Sequence, residues 1–238
     1  MATVNPNVYE GEAMPLVEHL RELRNRLVIS LIVLCVCTLI CLPFVEPALI
    51  ILTSQLKNPP IVINPTGVIV PYFKVSIIGG LAFAMPIILY QIVAFFLPAL
   101  TKHEKRTLYL FVPTGTFFFV AGVLFAAFVA MPFSLNFLQQ FGEEYTQIQY
   151  TLDSYISFVT TMLLALGIAF QTPLVIYFIT KLGIVSYPTL VKNIRWAFLI
   201  TAIVAAVITP TPDPFTMLIV MVPLFLLYLL GVLFARFA

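Results

Sequence analysis

Charge is what this chain lacks. Among 238 residues there are 12 lysines and arginines and 10 aspartates and glutamates. That is 9% of the chain, against roughly 25% in a soluble domain. Histidine is scarcer still, with only His19 and His103. His103-Glu104 has no second histidine to complete a His-Glu-x-x-His metal site, and neither a Gly-x-Ser-x-Gly elbow nor a Walker loop occurs. Hydrolytic and metal catalysis have no visible machinery, and nothing would hold ATP. No enzyme activity, cofactor or nucleic-acid partner is expected. The three cysteines, Cys35, Cys37 and Cys41, all fall in one apolar run without a histidine beside them, which suits buried small hydrophobes better than ligands or disulfides.

What fills the chain instead is apolar: 61% of it is hydrophobic. Six runs read as transmembrane helices, at about 27–44, 69–92, 107–131, 154–180, 196–209 and 215–235. They follow a polar tail, 1–13, and make 14–238 a single membrane domain. The fold class is therefore an all-α polytopic membrane protein. Residues 45–68 and 132–153 are connectors; Pro47 to Leu56 suits a short helix on the membrane, and Asn64-Pro65-Thr66-Gly67 a turn. Lys74 can snorkel from the second span to the near interface. The fourth span, at roughly 40 Å of helix, exceeds a ~30 Å hydrocarbon core, and Pro173 is its expected kink. The fifth is short, and Pro210-Thr211-Pro212-Asp213-Pro214 reverses the chain after it.

Six spans leave both termini on one side of the membrane. Arg21, Arg24, Arg26, Lys102, Lys105, Arg106, Lys181, Lys192, Arg195 and Arg236 gather there, so that side is expected to be cytoplasmic. It carries two clusters in which a carboxylate stands among cations. One is the stretch Met14–Leu27, where Leu16, Leu20, Leu23 and Leu27 form one helical stripe and Glu18, Arg21, Glu22 and Asn25 face away from it. It reads as a short amphipathic helix at the membrane surface that runs into the first span. Glu22 can pair with Arg26 one turn on, or stay partly open to a cation from elsewhere. The other cluster is Lys102-His103-Glu104-Lys105-Arg106, preceded by Phe95, Phe96, Pro98 and Leu100. Such clusters are commonly solvated loops. With the aromatic residues beside them, the two acids also suit a cationic peptide followed by an apolar stretch.

One amide, Gln171, stands mid-membrane between Gly167 and Pro173. It can satisfy backbone groups that Pro173 releases, such as the Ala169 carbonyl, or bond laterally to another helix, in this chain or a partner. A small-molecule or ion carrier centred on Gln171 is the alternative function. The spans offer few polar side chains for the continuous route it would need, and no inverted repeat is visible.

Several motifs resemble the TatC family, the multispanning receptor of twin-arginine protein translocation. They are Pro15-Leu-x-x-His-Leu-x-Glu-Leu-Arg-x-Arg26 and Pro86-x-x-Leu-Tyr-Gln-x-x-Ala-Phe-x-x-Pro-Ala-Leu-x-x-His-Glu-x-Arg106. Ser154-Tyr-Ile-Ser-Phe158, Gly167-x-x-Phe-x-x-Pro173 and Thr209-Pro-x-Pro-Asp213 continue the series. The resemblance implies six helices in a curved, glove-like wall, the last two short and both termini cytoplasmic, in the inner membrane. It implies binding of twin-arginine signal peptides of folded precursors, single-span TatA- and TatB-like partners, a homo-oligomeric receptor complex in the lipid bilayer, and transport driven by the proton-motive force. By position, Glu22 and Glu104 would recognise the arginine pair, with Arg24, Phe95, Pro98, Leu100 and Lys102 shaping that surface. Gln171 and Asp213 would serve partner-helix docking, although Asp213 also suits an N-cap for the sixth span. The sequence departs from the family where Gln171 and Leu229 stand in place of usual glutamates, and where Pro65-Thr66-Gly67 replaces a Pro-Thr-Glu pattern.

Overall fold

A computed structural model describes residues 16–96, 102–142, 149–209 and 213–237. The tail at 1–13 lies outside them. The fold is all-α. Its helices are α1 (Leu16–Cys41), α2 (Val45–Thr53), α3 (Ile69–Phe96), α4 (Lys102–Phe125), α5 (Met131–Gly142), α6 (Leu152–Ala169), α7 (Thr172–Lys181), α8 (Tyr187–Lys192), α9 (Ile194–Ile208) and α10 (Pro214–Ala235). Five helical stretches are long and apolar enough to cross a bilayer: Val17–Thr53, Ile69–Phe95, Leu110–Gln140, Leu152–Lys181 and Pro214–Ala235. Ile194–Ile208 is a shorter apolar helix, and its 15 residues rise only about 22 Å.

The amphipathic stretch is not a separate surface helix. It forms the first turns of α1, which continues unbroken for 26 residues. No glycine or proline after Pro15 interrupts it until Pro43, so the backbone ladder has no reason to break. Three leucines of its stripe, Leu20, Leu23 and Leu27, stay exposed on the protein surface, because α1 packs chiefly on α3.

That contact is built from small residues. Ser76 is fully buried and its hydroxyl donates to the Thr38 carbonyl at 2.7 Å. Gly80 lies one turn on, against the Thr38 backbone. Tyr72, one turn earlier, donates to the Leu42 carbonyl at 2.8 Å. Among the thiols only Cys41 is buried, beside Gly79; Cys35 is exposed, and all three are free.

The third span runs further than its sequence suggests. A five-residue π turn, Ala126–Ala130, joins α4 to α5, so helix persists to Gly142 through what reads as connector. Pro132 looks like a terminator because it cannot donate to the ladder. The wide turn just before it shifts the hydrogen-bond register, with the Met131 amide donating to Ala126. On either side of the proline, Met131, Ser134, Leu135 and Gln139 are buried, and Phe137 stacks on Phe215 of α10 at 4.6 Å.

The main core lies between α5, α6, α9 and α10, around Tyr155, Ile156, Val159, Met162 and Leu166. The first connector is tied to it. Ile61 donates to the Tyr150 carbonyl at 3.0 Å and accepts from the Leu152 amide at 2.9 Å. Burial pushes the Tyr150 hydroxyl above its ordinary range, which keeps it neutral. Lys74 does not simply reach for the interface. Its ammonium donates to Asp153 at 2.9 Å and Ser157 at 2.6 Å, joining α3 to the start of α6.

The expected kink is present. α6 ends at Ala169 and α7 starts at Thr172 with Pro173 in its first turn. The molecule thus has a Glu22 end, with the starts of α1 and α4 and the last turns of α3, α7 and α10. The opposite Lys74 end holds α2, α5 and the start of α6.

Candidate functional site

At the Glu22 end, two helices present matching faces. His19, Glu22 and Arg26 are spaced three and four apart on α1, hence on one side of it. Gln91 and Phe95 are four apart on α3. The His19 ring stacks on Phe95, with centroids 4.3 Å apart and planes 23° from parallel. Two turns along, the Arg26 guanidinium donates from Nη1 to Gln91 Oε1 at 3.1 Å. Between these ties sits Glu22. Its Oε1 accepts from Arg26 Nε at 3.0 Å and from Nη2 at 2.6 Å. Both side chains are mostly covered, with 26% of Arg26 and 21% of Glu22 exposed.

The i,i+4 pair open to Glu22 on sequence grounds is therefore made, and Gln91 is the part that sequence reasoning missed. The only hint was a lone amide near the end of an apolar span, four residues before Phe95. Arg24 is exposed on α1 and is not joined to this cluster. Lys102 and Glu104 fall in the first turn of α4, but their side chains lie outside the described residues, as do Pro98 and Leu100.

Gln171 is mid-molecule. The Ala169 carbonyl, which Pro173 cannot serve, takes the Thr172 hydroxyl at 2.6 Å. That releases Gln171 for the lateral bond: its Nε2 donates to the Gly115 carbonyl of α4 at 2.9 Å. The residue is 9% exposed, and its Oε1 has no hydrogen-bond partner among the described residues. Apolar clefts flank it. One, about 470 Å³, lies between α3, α4 and α7 and is lined by Met85, Leu89, Phe119 and Phe178. The other, about 600 Å³, lies between α6, α7, α9 and α10 beside Ile200, Val204 and Leu224. Gln171→Leu is expected to cost only about 1 kcal/mol or less in a denaturation titration, because one interhelical bond is lost while an unsatisfied oxygen disappears with it.

Asp213 caps α10, its carboxylate accepting from the Thr216 amide at 2.6 Å. The N-cap role read from the sequence is thus filled. Among the described residues, no group of three or more histidine, cysteine, aspartate or glutamate side chains is placed to hold a metal.

The family model described as Sec-independent protein translocase protein (TatC) matches residues 18–223. The chain belongs to the TatC family. The Sec-independent protein translocase protein TatC of Carboxydothermus hydrogenoformans is 36% identical over 231 residues, covering 96% of this chain and 95% of that one. The TatC of Aquifex aeolicus is also 36% identical, over 234 residues, with 94% and 96% covered. In structure, the chain is similar to the crystal structure of the twin-arginine translocase receptor TatC. The TM-score is 0.82 at 33% identity, with 92% of this chain and 98% of that one covered. As a TatC homologue, it is a multi-pass membrane protein and a component of a protein translocase. The resemblance read from the motifs is borne out along nearly the whole chain.

Proposed function

We propose that this TatC homologue is the receptor subunit of its translocase and binds twin-arginine signal peptides through Glu22 and Glu104. The observation that carries the reading is the state of Glu22. Its carboxylate, held between α1 and α3, already accepts a guanidinium through two N–H groups. A planar fork of donors suits that acceptor, whereas a lysine offers a point charge. The stacked His19–Phe95 pair borders the same site and gives an apolar surface for residues next to the arginines. In this reading Glu104, from the first turn of α4, supplies the second acid, and Arg24, Phe95, Pro98, Leu100 and Lys102 shape the recognition surface.

In this reading the Glu22 end faces the cytoplasm, both termini lie there, and six spans, α9 included, cross the inner membrane. Single-span TatA- and TatB-like proteins dock at the clefts beside Gln171 and on the α9–α10 pair, and copies of the receptor assemble with them. The proton-motive force drives export. The Gln171 oxygen, without a hydrogen-bond partner among the described residues and set between two clefts, supports a helix-docking role, and the apolar lining of those clefts argues against a carrier with a polar route.

The test is binding of a synthetic twin-arginine signal peptide to the purified protein. Glu22→Ala and Glu104→Ala are each expected to weaken it by about tenfold, or about 1.4 kcal/mol, and a Lys-Lys version of the peptide is expected to bind as poorly. Wild-type binding that survives both substitutions would remove the carboxylates from recognition.

A further inference from the structure

We infer that Arg26 is a built-in competitor for the arginine of the signal peptide, and that it sets how weakly a ligand can bind and still be retained. The inference rests on the reading of Glu22 as a recognition carboxylate and adds what happens to that carboxylate when no peptide is present.

Without peptide, Glu22 is not waiting empty. Arg26 covers Oε1 with two donors. An incoming guanidinium therefore exchanges with a resident one rather than meeting a bare charge. Such an exchange is nearly balanced, because similar bonds are broken and made. For that reason the empty receptor does not carry an unpaired, four-fifths-covered carboxylate, which would be costly.

The second half of the device is Gln91. An isolated i,i+4 pair needs no third group from another helix. Here Nη1 already reaches across to Gln91 Oε1 at 3.1 Å. When a peptide arginine takes Glu22, Arg26 keeps that neutral acceptor and is a quarter exposed to solvent, so its charge is not stranded. Gln91 is thus a positioning residue for Arg26.

Competition has a definite thermodynamic signature. It lowers the affinity of every ligand that needs Glu22 by the same factor, because the resident pair must be opened in each case. The ratio of arginine to lysine binding is set at the bound state and does not change. Removing Arg26 must therefore tighten both peptides equally and lift a lysine peptide into measurable range.

The experiment measures binding of the Arg-Arg and Lys-Lys peptides to the full-length protein in detergent, in wild type and with Arg26→Gln, Arg26→Lys, Glu22→Ala and Glu22→Ala combined with Arg26→Gln. Arg26→Gln is expected to tighten both peptides roughly fivefold with their ratio unchanged. Arg26→Lys, which keeps the charge but lacks the fork, is expected to tighten both by less, and it serves if the glutamine variant fails to fold. In the Glu22→Ala background the effect of Arg26→Gln should vanish. If it persists there, removal of a distant positive charge explains it and the inference is overturned. If Glu22→Ala weakens binding but the Arg26 variants bind no tighter than wild type, Arg26 is a structural tie and this inference alone fails. If Glu22→Ala changes nothing, the recognition reading fails with it.

Discussion

Replacing Gly80 with leucine is expected to pry α1 from α3 and to abolish the proposed signal-peptide binding at the same time. A Cβ at position 80 would stand 2.5 Å from Thr38 Oγ1, 2.6 Å from its amide nitrogen and 2.7 Å from its Cα. Two of these are backbone atoms, which cannot rotate away. In lipid, helices gain no hydrophobic driving force against each other, so close packing and interhelical hydrogen bonds must hold them. Tyr72, Ser76 and Gly80 are spaced by one turn along that seam, and separating the helices by even about an ångström breaks both the Ser76 and Tyr72 bonds. Gly80→Ala should already cost about 1–3 kcal/mol, and leucine more. The functional loss follows from where the seam leads. α1 carries His19, Glu22 and Arg26, α3 carries Gln91 and Phe95, and their register exists only while the helices touch. Unfolding titrations in mixed detergent, read beside peptide binding, check both halves. Phe83→Leu on the same helix, at a side chain 73% exposed, should change neither. Normal binding and stability in Gly80→Leu would mean the seam tolerates a gap.

The same seam shows why the sequence was informative about elements and less so about their contacts. Long apolar runs announce spans, because only a helix satisfies its own backbone in lipid. Hence α3, α6 with α7, α9 and α10 begin and end within a few residues of where hydropathy puts them. Pro173 marks a real break, since a missing donor is a local property of the chain. The errors arise where a distant group decides. The helix continues past Pro132 because a π turn absorbs it and α10 covers its far side. Lys74 could snorkel, but Asp153 stands within reach. Gln171 had two partners open to it, and Thr172, its neighbour, took the local one. At the candidate site, Glu22 with Arg26 was legible as an i,i+4 pair, whereas Gln91 lies 65 residues away from Arg26 and only folding brings it there.

The largest loss of stability without loss of recognition is expected from Tyr155→Ala. Tyr155 is 2% exposed, in the core beneath the Lys74 end. Its hydroxyl donates to the Leu52 carbonyl of α2 at 2.6 Å, so one side chain fills the core on α6 and also ties down the connector helix. Truncating a buried aromatic ring costs about 3–5 kcal/mol, since the neighbours close the cavity only in part. Tyr155→Phe keeps the ring and loses only the hydrogen bond, at about 1 kcal/mol, so the two variants separate packing from polarity. The effect on peptide affinity should be small in both at a temperature where they remain folded. Tyr155 sits near the start of α6, whereas Glu22 and Gln91 lie at the other end of the helices, and the hydrogen bonds along the α1–α3 seam, Tyr72 to Leu42 and Ser76 to Thr38, do not involve it. Heat denaturation followed beside peptide binding reads the two quantities in one preparation. A marked fall in affinity for folded Tyr155→Ala would mean that the core at the Lys74 end and the Glu22 carboxylate move as one unit, in which case the α1–α3 seam cannot by itself account for how Glu22 is held.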